Sequence, residues 1–480
     1  MIFPRIYDII DIIDIINEYQ KTGGSDMAKY FAAVDIGGGS GRLILAHLEG
    51  GRIVSEEIHR FENVLLKKDG FLVWDTEMLF DEIKKGLALC KTAGKIPESV
   101  AIDMWGVDYV LLDENDKLVG HAVSNRDPRT EGMDAVLSER LSEREMYEIA
   151  GIQKMTLNTV YQLLSTSINH PEWLDKAKSF LMLPDYMTFR LSGAKKCEYT
   201  NASTTSLMDA RTHKWSERIL NACGVSPEIM PEIVMPGTVA GDLLPEIQAE
   251  VGFDCKVVYA ASHDTGSAVV SVTEKDCIYI SSGTWSLVGV ELDAPDTSEE
   301  GRLMNFTNEG GYGGKIRYLK NIIGLWFIQT IRRELGKVHS YPELADMARE
   351  YDATKHRIDV FADRFLAPES MIEEIRSACS CPDMPIGEVL ATVYHSLAEA
   401  YAGVFTLVDK FAKRHVDTVC IIGGGSRDTY LNELTARYSG RRVVRGVVEA
   451  TAMGNVAVQM IAGGVIADLD EARSIIALGE

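Results

Sequence analysis

The chain has 480 residues, of which 46% are hydrophobic and 25% are charged, values that are ordinary for a globular protein of two or three domains. Its formal net charge of −22 argues against a nucleic-acid-binding surface and against an anionic membrane as the main partner. The eight cysteines are scattered, and no C-x-x-C pair occurs. This pattern disfavours a zinc site and predicts reduced thiols in a cytoplasmic protein.

The first 26 residues differ in pattern from the rest of the chain. "YDIIDIIDIINEY" repeats every three residues, and its aspartates argue against a membrane span and a secretory signal. "KTGGSD" follows it with the composition of a linker. We therefore expect residues 1–26 to be an extension outside the fold, with Met27 as the natural start. A docking helix is the alternative.

From Lys29 onward the pattern is typical of an α/β protein. "YFAAVDIGGG" predicts a strand that ends in a glycine turn, and "GRLILAHLEGGRIVSEEIHRF" predicts two strands joined by Gly-Gly. "TEMLFDEIKKGLALCKTAG" has the periodicity of a helix, with Thr76 as its N-cap. Strands follow at residues 99–119, and the stretch from Thr130 to Glu250 is mixed and mostly helical.

A similar order of elements then begins again. "DCIYISSGTWSLVGVEL" predicts a strand, a polar turn and a strand, as the first segment does. Later, "YHSLAEAYAGVFTLVDKFAKRH" predicts a long helix, and "DTVCIIGGGSRDTYLNELTARYSG" predicts a strand, a glycine turn and a helix. We therefore predict two similar halves, residues 27–270 and 271–480, with a cleft between them.

Three turns, at residues 35–42, 281–286 and 421–431, are rich in glycine and hydroxyl side chains. Glycine at a strand end lets the backbone approach a ligand closely, and hydroxyl and backbone N–H groups bind phosphate. Taken singly, each segment is more often only a turn. The sequence contains neither a P-loop motif nor a dinucleotide-binding Rossmann fingerprint.

In this order, the three turns resemble the phosphate-1, phosphate-2 and adenosine motifs of the sugar kinase, heat-shock-70 and actin superfamily. The resemblance implies an α/β fold of two duplicated actin-like, ribonuclease H-like domains with a cleft between them. It also implies that Asp35 holds Mg²⁺ through water and that the following residues contact ATP: Gly38, Gly39, Ser40, Gly41, Arg42, Thr284, Gln329 and Gly424.

Within this superfamily, "YAASHDTGSAV" resembles the catalytic segment of the FGGY family of carbohydrate kinases. Segments such as "DMWGVDYVLLD", "LMLPDYMTFRLSG" and "LKNIIGLWFIQ" extend the resemblance from about Ala32 to Met460 and are most similar to the members that act on L-rhamnulose. One departure is Asn125, where an aromatic residue is more usual. The resemblance implies an FGGY N-terminal domain in residues 27–270 and a C-terminal one in 271–480.

The activity implied by this resemblance is the phosphorylation of L-rhamnulose at O1 by ATP with Mg²⁺, in L-rhamnose catabolism. A kinase for another ketose, such as L-fuculose or L-xylulose, is the first alternative. A non-catalytic, actin-like ATP switch is the second. The sequence leaves open whether the protein is a monomer or a homodimer.

Asp264, in "HDTGS", is the candidate catalytic residue. From the residues alone, an aspartate before Thr-Gly-Ser-Ala is an N-cap; the resemblance makes Asp264 the general base that accepts the sugar's hydroxyl proton. The resemblance also implies that Gly106, His263, Thr265 and Asn321 bind the sugar with Asp264. A carboxylate at a strand end, Asp108, also suits sugar hydroxyls. For Arg126, Asp127 and Arg129 we expect a structural ion pair, and a role in ligand binding is the less favoured alternative.

Overall fold

The computed structural model describes residues 28–479, and the predicted extension at residues 1–26 lies outside them. The strands are β1 Tyr30–Ile36, β2 Ser40–Glu49, β3 Arg52–Glu62, β4 Leu65–Lys68, β5 Phe71–Trp74, β6 Pro97–Met104, β7 Tyr109–Leu112, β8 Leu118–Val119, β9 Ser179–Met182, β10 Cys197–Glu198, β11 Met208–Asp209, β12 Lys214–Trp215, β13 Ile233–Val234, β14 Val239–Asp242, β15 Lys256–Val258, β16 Ile278–Ser282, β17 Trp285–Leu292, β18 Thr307–Gly310, β19 Ile316–Ile323, β20 Thr418–Ile422 and β21 Arg442–Arg445.

The helices are α1 Thr76–Thr92, α2 Met133–Ser138, α3 Glu143–Ala150, α4 Thr159–Asn169, α5 Pro171–Lys176, α6 Leu183–Ser192, α7 Tyr199–Ser203, α8 Glu217–Cys223, α9 Pro245–Val251, α10 Asp264–Val270, α11 Glu299–Leu303, α12 Trp326–Glu334, α13 Tyr341–Arg349, α14 Met371–Ala378, α15 Ile386–Ala412, α16 Thr429–Ser439, α17 Ala450–Ala462 and α18 Leu469–Leu478. None of these helices has both the length and the apolar composition that crossing a membrane requires.

Two six-stranded sheets carry the fold, and five strands of each follow the same order, whereas the sixth strand, β14 or β18, lies at opposite edges of this shared arrangement. The first has the order β14-β15-β6-β1-β2-β3, and the second has the order β18-β19-β17-β16-β20-β21. In each, an opening hairpin (β1–β2 or β16–β17) is antiparallel, and its first strand pairs in parallel with a crossover strand, β6 or β20. The predicted repetition of the strand–turn–strand pattern is confirmed, whereas the boundary near residue 270 stays a prediction.

The central strands are buried because their apolar residues face helices on both sides. In β1, Ala32 and Val34 pack in one cluster with α1, while Phe31 and Ala33 pack in another with α17 and α18. Because both faces of this strand are covered, consecutive positions are apolar, which explains the sequence "YFAAV". A third cluster fills the helical region between β7 and β13.

The two halves meet where α10 crosses α17. A Cβ on Gly454 of α17 would lie 1.8 Å from the carbonyl oxygen of Ser267 in α10, so only glycine allows this approach. From α17, Asn455 also donates to Asp103 of β6 (2.6 Å), and Gln459 donates to the carbonyl oxygen of Ala32 (3.0 Å). A helix of the second half is thus bonded to the first sheet.

Two expected helix caps are wrong by one residue. The N-cap of α1 is Asp75, whose side chain accepts from the N–H of Met78, and Thr76 is the first helical residue. Likewise, His263 is the N-cap of α10, and Asp264 begins the helix. Asp264 is therefore not the cap, and within residues 28–479 its carboxylate accepts from one backbone group, the N–H of Thr265, at 2.5 Å.

Candidate active site

A cavity of about 1030 Å³ lies between the two sheets and brings together most of the predicted site residues. The predicted residues that line it are Gly38, Gly39, Arg42, Gly106, His263, Asp264, Thr265, Thr284, Asn321, Gln329 and Gly424. Residues predicted to bind sugar and residues predicted to bind ATP therefore share one space. Its size suits a nucleotide and a small sugar together.

Three of the predicted residues, Asp35, Ser40 and Gly41, do not line the cavity. Asp35 is the penultimate residue of β1, and its Oδ2 accepts from Nε and Nη2 of Arg42 (3.1 and 2.8 Å). Ser40 and Gly41 lie in the β2–β3 ladder, where a Cβ on Gly41 would lie 2.2 Å from the ring of Phe61. Glycine at position 41 is therefore explained by packing.

Asp264 opens α10 at the cavity wall, with 30% of its side-chain surface exposed. Burial and then the negative charge of Asp35 raise the pKa of Asp264 to about 7, while the N–H of Thr265 opposes this shift. A carboxylate with this pKa is partly ionised at neutral pH and accepts a proton readily. The geometry thus supplies a base at the cavity wall.

His263, beside Asp264, is held as a neutral ring. The Nη2 of Arg317 donates to its Nδ1 (3.0 Å), and because a guanidinium only donates, the ring proton must be on Nε2. Burial and the charge of Arg317 lower the pKa of His263 well below its usual range. Its Nε2 lies 3.4 Å from Oδ1 of Asp264.

Arg317 is fully buried and connects the second sheet to this segment. From β19, it donates to Thr265 Oγ1 (3.1 Å) and to Glu309 Oε2 (3.1 Å), and its Nε donates to the carbonyl oxygen of Gly310 (2.8 Å). Neither Arg317 nor Glu309 was predicted from the sequence. Glu309 stands in "TNEGG" and Arg317 in "KIRYLK", and a charged residue in such a segment is only a weak sign of a buried pair.

The loop after β6 forms another wall. A Cβ on Gly106 would lie 2.9 Å from Oγ1 of Thr204, so this position accommodates glycine alone. The next residue, Val107, has a φ of 71°, which is strained for a β-branched side chain. Its N–H donates to Thr204 Oγ1 (3.1 Å), and its carbonyl oxygen accepts from Thr159 Oγ1 (2.7 Å). These bonds hold a conformation that the sequence did not predict.

Asp108 is a buried acceptor and does not line the cavity, which is contrary to the interpretation as a sugar ligand. Its Oδ2 accepts from the indole N–H groups of Trp74 (2.6 Å) and Trp105 (2.8 Å) and from Asn125 Nδ2 (3.1 Å). Its Oδ1 accepts from Gln162 (3.3 Å). The carboxylate is therefore occupied in fixing the cavity wall, and Asn125, in place of the usual aromatic residue, belongs to this network.

The interpretation of residues 126–129 as an ion pair is wrong, since no member of the set pairs with another within residues 28–479. Asp127 accepts from the backbone N–H groups of Leu72 (2.8 Å) and Arg129 (3.0 Å). The guanidinium of Arg129 donates instead to Gln162 Oε1 (2.7 Å). Arg126 extends into the cavity.

The second hairpin turn and the third glycine turn close the other end of the cavity. Thr284 Oγ1 donates to Gln329 Oε1 at 3.1 Å, which joins two predicted ATP contacts. Gly424 opens the turn after β20 and is exposed. On the sugar side, Asn321 Nδ2 donates to Gln153 Oε1 (3.0 Å), so the amide of Asn321 has a fixed orientation.

Comparison with known proteins identifies the family. The FGGY N-terminal domain of carbohydrate kinases matches residues 30–271, and the FGGY C-terminal domain matches residues 278–463. The chain belongs to the FGGY family of carbohydrate kinases. Membership confirms the predicted enzyme class, a sugar kinase with ATP and a sugar as its substrates.

Among its relatives is a protein named rhamnulokinase from Halalkalibacterium halodurans, 45% identical over 453 residues, or 93% of this chain and 96% of that protein. Another, also named rhamnulokinase, from Oceanobacillus iheyensis, is 44% identical over 92% of this chain and 95% of its own length. A third so named, from Bacillus subtilis, is 38% identical over 93% of both chains.

Solved structures confirm the predicted fold. Xylulose kinase from Lactobacillus acidophilus matches with a TM-score of 0.78 and 16% identity over 93% of this chain and 92% of that one. Glycerol kinase from Plasmodium falciparum with ADP matches with a TM-score of 0.77 and 12% identity over 94% and 92%. At these identities the likeness concerns the fold alone.

FGGY kinases use ATP with a divalent metal, and the carboxylates near the first glycine turn fit a hydrated cation. No group of three His, Cys, Asp or Glu side chains within residues 28–479 could ligate a metal directly. However, Asp103 Oδ1 is buried without a hydrogen-bond partner. Burial and then the charge of Asp35 raise the pKa of Asp103, so a nearby cation would relieve the repulsion among these carboxylates.

Proposed function

We propose that this FGGY kinase transfers the γ-phosphoryl group of ATP to O1 of L-rhamnulose, with Asp264 as the general base. The observation that carries the mechanism is the position of Asp264, a carboxyl group with a pKa of about 7 on the wall of the cavity shared by both predicted substrate sites. The relatives named rhamnulokinase, at 38–45% identity, support the choice of sugar.

In this mechanism, the carboxylate of Asp264 accepts the proton of the sugar's O1 hydroxyl as the new O–P bond forms and the bond to ADP breaks. Phosphoryl transfer needs mainly alignment and charge neutralisation, and the proton leaves late, so an aspartate is a sufficient base. The Nε2–H of His263 and the fixed amide of Asn321 are donors and acceptors for the other hydroxyls.

At the nucleotide end, we assign ATP binding to the backbone of Gly38 and Gly39, the hydroxyl of Thr284 and the amide of Gln329, which line the same cavity. Mg²⁺ bound together with ATP would neutralise part of the negative charge of the phosphate groups. We assign Asp35 to the hydrated metal, since it lies behind the glycine turn and not in the cavity wall. Arg42 bridges Asp35 to Glu449 of the second half (Nη1 to Oε2, 2.5 Å).

We also propose that the reaction takes place in the cytoplasm. All eight cysteines lie within the described residues, and none of them forms a disulfide there; six are buried, and Cys379 and Cys381 are half-buried. Reduced thiols are typical of that compartment. Periplasmic or secreted protein in a fractionated cell would contradict the assignment.

The test is kcat/KM for L-rhamnulose, L-fuculose, L-xylulose and D-xylulose at saturating ATP and Mg²⁺, with the phosphate position determined by NMR. An inverted hydroxyl leaves a buried donor or acceptor unpaired at a cost of about 1–3 kcal/mol, which corresponds to roughly 5- to 150-fold in kcat/KM. We expect L-rhamnulose to be best and its phosphate to be on O1. A better substrate among the other three contradicts the sugar; ADP release that needs no sugar favours the actin-like switch.

A further inference from the structure

Arg126 is an arginine in the cavity with no ionic partner. Its side chain forms no ion pair within residues 28–479, and its guanidinium lies over the ring of Trp74, with Cζ 5.8 Å from the ring centroid. Arg42, by contrast, is occupied by Asp35 and Glu449. A cation left unpaired in a cavity of a strongly acidic chain indicates an anionic ligand.

The guanidinium of Arg126 lies against the first glycine turn. A Cβ on Gly38 would be only 2.6 Å from Nη2 of Arg126, so these two groups face each other at the mouth of the turn. The preceding residue, Asn125, belongs to the Asp108 network at the sugar side. Arg126 therefore stands between the predicted phosphate turn and the predicted sugar site, where a phosphoryl group must pass.

The backbone and the ring beneath hold Arg126 in this position. The N–H of Asp127 donates to the carbonyl oxygen of Ser124 (3.0 Å), and the N–H of Arg126 donates to the Ser124 hydroxyl (3.2 Å). Trp74 is buried, and its indole N–H is fixed by Asp108. A guanidinium held over a fixed ring by a cation–π contact has less freedom to lose when it binds a phosphate.

The charges near Asp264 explain why a cation at the position of Arg126 would help the reaction. The phosphoryl group must approach Asp264, whose carboxylate repels an anion, and Arg42 and Arg317 are already paired with Asp35 and Glu309. A fixed guanidinium at the crossing point offsets this repulsion and binds two phosphoryl oxygens at once. Positioned donors of this kind contribute most when the negative charge shifts during transfer.

We propose that Arg126 binds the γ-phosphoryl group of ATP, before and during its transfer to the acceptor hydroxyl. The inference rests on the proposed phosphoryl transfer, but it does not depend on which sugar is the acceptor. It gives Arg126 a role in the reaction itself, in addition to the contacts predicted from the three turns.

The test compares the Kd of Mg²⁺–AMP-PNP with that of Mg²⁺–ADP by calorimetry, without sugar, in the full chain and in Arg126→Met. We expect the variant to bind AMP-PNP roughly tenfold more weakly, the effect of one charge-assisted contact, and ADP within about twofold. We further expect kcat to fall roughly 10²-fold. Arg126→Lys retains the positive charge but loses the two parallel N–H donors of the guanidinium. Its Kd for AMP-PNP and its kcat are therefore expected to lie between those of the wild type and those of Arg126→Met.

The matched control is Arg52→Met, which removes an exposed arginine from the β2–β3 turn of the same half. It is expected to change neither Kd. An unchanged ratio of the two Kd values in Arg126→Met overturns the proposal, as does a loss confined to the KM of the sugar. Because the binding ratio needs no sugar, a wild-type enzyme that rejects L-rhamnulose contradicts only the proposed substrate. A melting temperature equal to that of the wild type verifies that the variants fold.

Discussion

The two opening hairpins, β1–β2 and β16–β17, occupy equivalent places in the five-strand order that the two sheets share, but they carry different side-chain chemistry. At the end of β1, Asp35 pairs in register with Asp103 of β6. At the end of β16, Ser281 pairs in register with Ile422 of β20, and the turn continues with hydroxyl residues. The shared topology sets where each turn lies, and the side chains set what each turn does.

Because of this difference, the two halves contribute different chemical groups to the proposed reaction. The first half concentrates carboxylates: burial and then the charge of Asp35 raise the pKa of Asp264, and the same carboxylates favour a cation. The second half presents neutral hydroxyl and amide groups at Thr284 and Gln329, which can bind phosphate oxygens. Changes in the first half are therefore expected to alter proton and metal chemistry, and changes in the second to alter nucleotide affinity.

The largest effect is expected from Asp264→Asn, which retains the shape and removes the basicity. Turnover is expected to fall roughly 10²- to 10⁴-fold, because the hydroxyl proton loses its acceptor. The Kd of ATP is expected to change little. Steady-state kinetics and calorimetry measure both, and Asp254→Asn, an exposed aspartate nearby, is the control. Near-normal turnover in Asp264→Asn would sink the assignment.

Asp35→Asn tests the acidic character of the first half. We expect turnover to fall roughly 10- to 100-fold at fixed Mg²⁺ and to recover partly at higher Mg²⁺. Since the charge of Asp35 helps to raise the pKa of Asp264, the acid limb of the kcat/KM profile is expected to move from about pH 7 to lower pH. If neither the metal requirement nor the acid limb changes, Asp35 has another role.

Thr284→Ala tests the second half, where a smaller effect is expected. The loss of one neutral hydrogen bond costs about 0.5–1.5 kcal/mol, so the KM of ATP is expected to rise roughly 2- to 12-fold with kcat nearly unchanged. Thr284→Ser retains the hydroxyl that contacts Gln329 and is expected to be close to wild type. A change in the acid limb of Thr284→Ala would contradict the proposed division.

The smallest effect is on stability. Because the folded state raises the pKa of Asp264 to about 7, its ionised form destabilises the fold as pH rises from about 4 to about 7. Asp264→Asn is thus expected to raise the melting temperature at about pH 8 and less at about pH 5. Water screens part of this penalty, since 30% of the side chain is exposed, so about 1–2 kcal/mol is expected.

The uncharged Thr284→Ala serves as the control in the same melting experiments, and its difference from wild type is expected to be independent of pH. If Asp264→Asn and the wild type have equal melting temperatures across this pH range, burial of the ionised carboxylate does not destabilise the folded state.

The sequence predicted the parts of the fold that depend on local pattern. Apolar runs that end in glycine turns indicated β1, β16 and β20, and "HDTGS" indicated the start of α10. These features are local because the alternation of apolar residues and the backbone freedom of glycine act over a few positions. The helix caps were each misplaced by one residue, since adjacent polar residues compete for the same N–H groups.

Contacts between distant segments were not predictable from the sequence. The buried acceptor role of Asp108 depends on Trp74, Trp105, Asn125 and Gln162, which only the fold brings together. The strained φ of Val107 depends on Thr204 in the same way. Both were missed because a side chain's burial and its partners are set by tertiary packing and not by its neighbours in the chain.

The position of Arg317 in the second half of the chain has a consequence for folding during synthesis. During synthesis, Asp264 and its neighbour His263 leave the ribosome before the guanidinium that fixes the ring of His263. The first half therefore contains Asp264 early, but the ring of His263 has no guanidinium to orient it until β19 has joined the second sheet. The arrangement of His263 beside Asp264 is thus acquired only when the second half of the chain has folded.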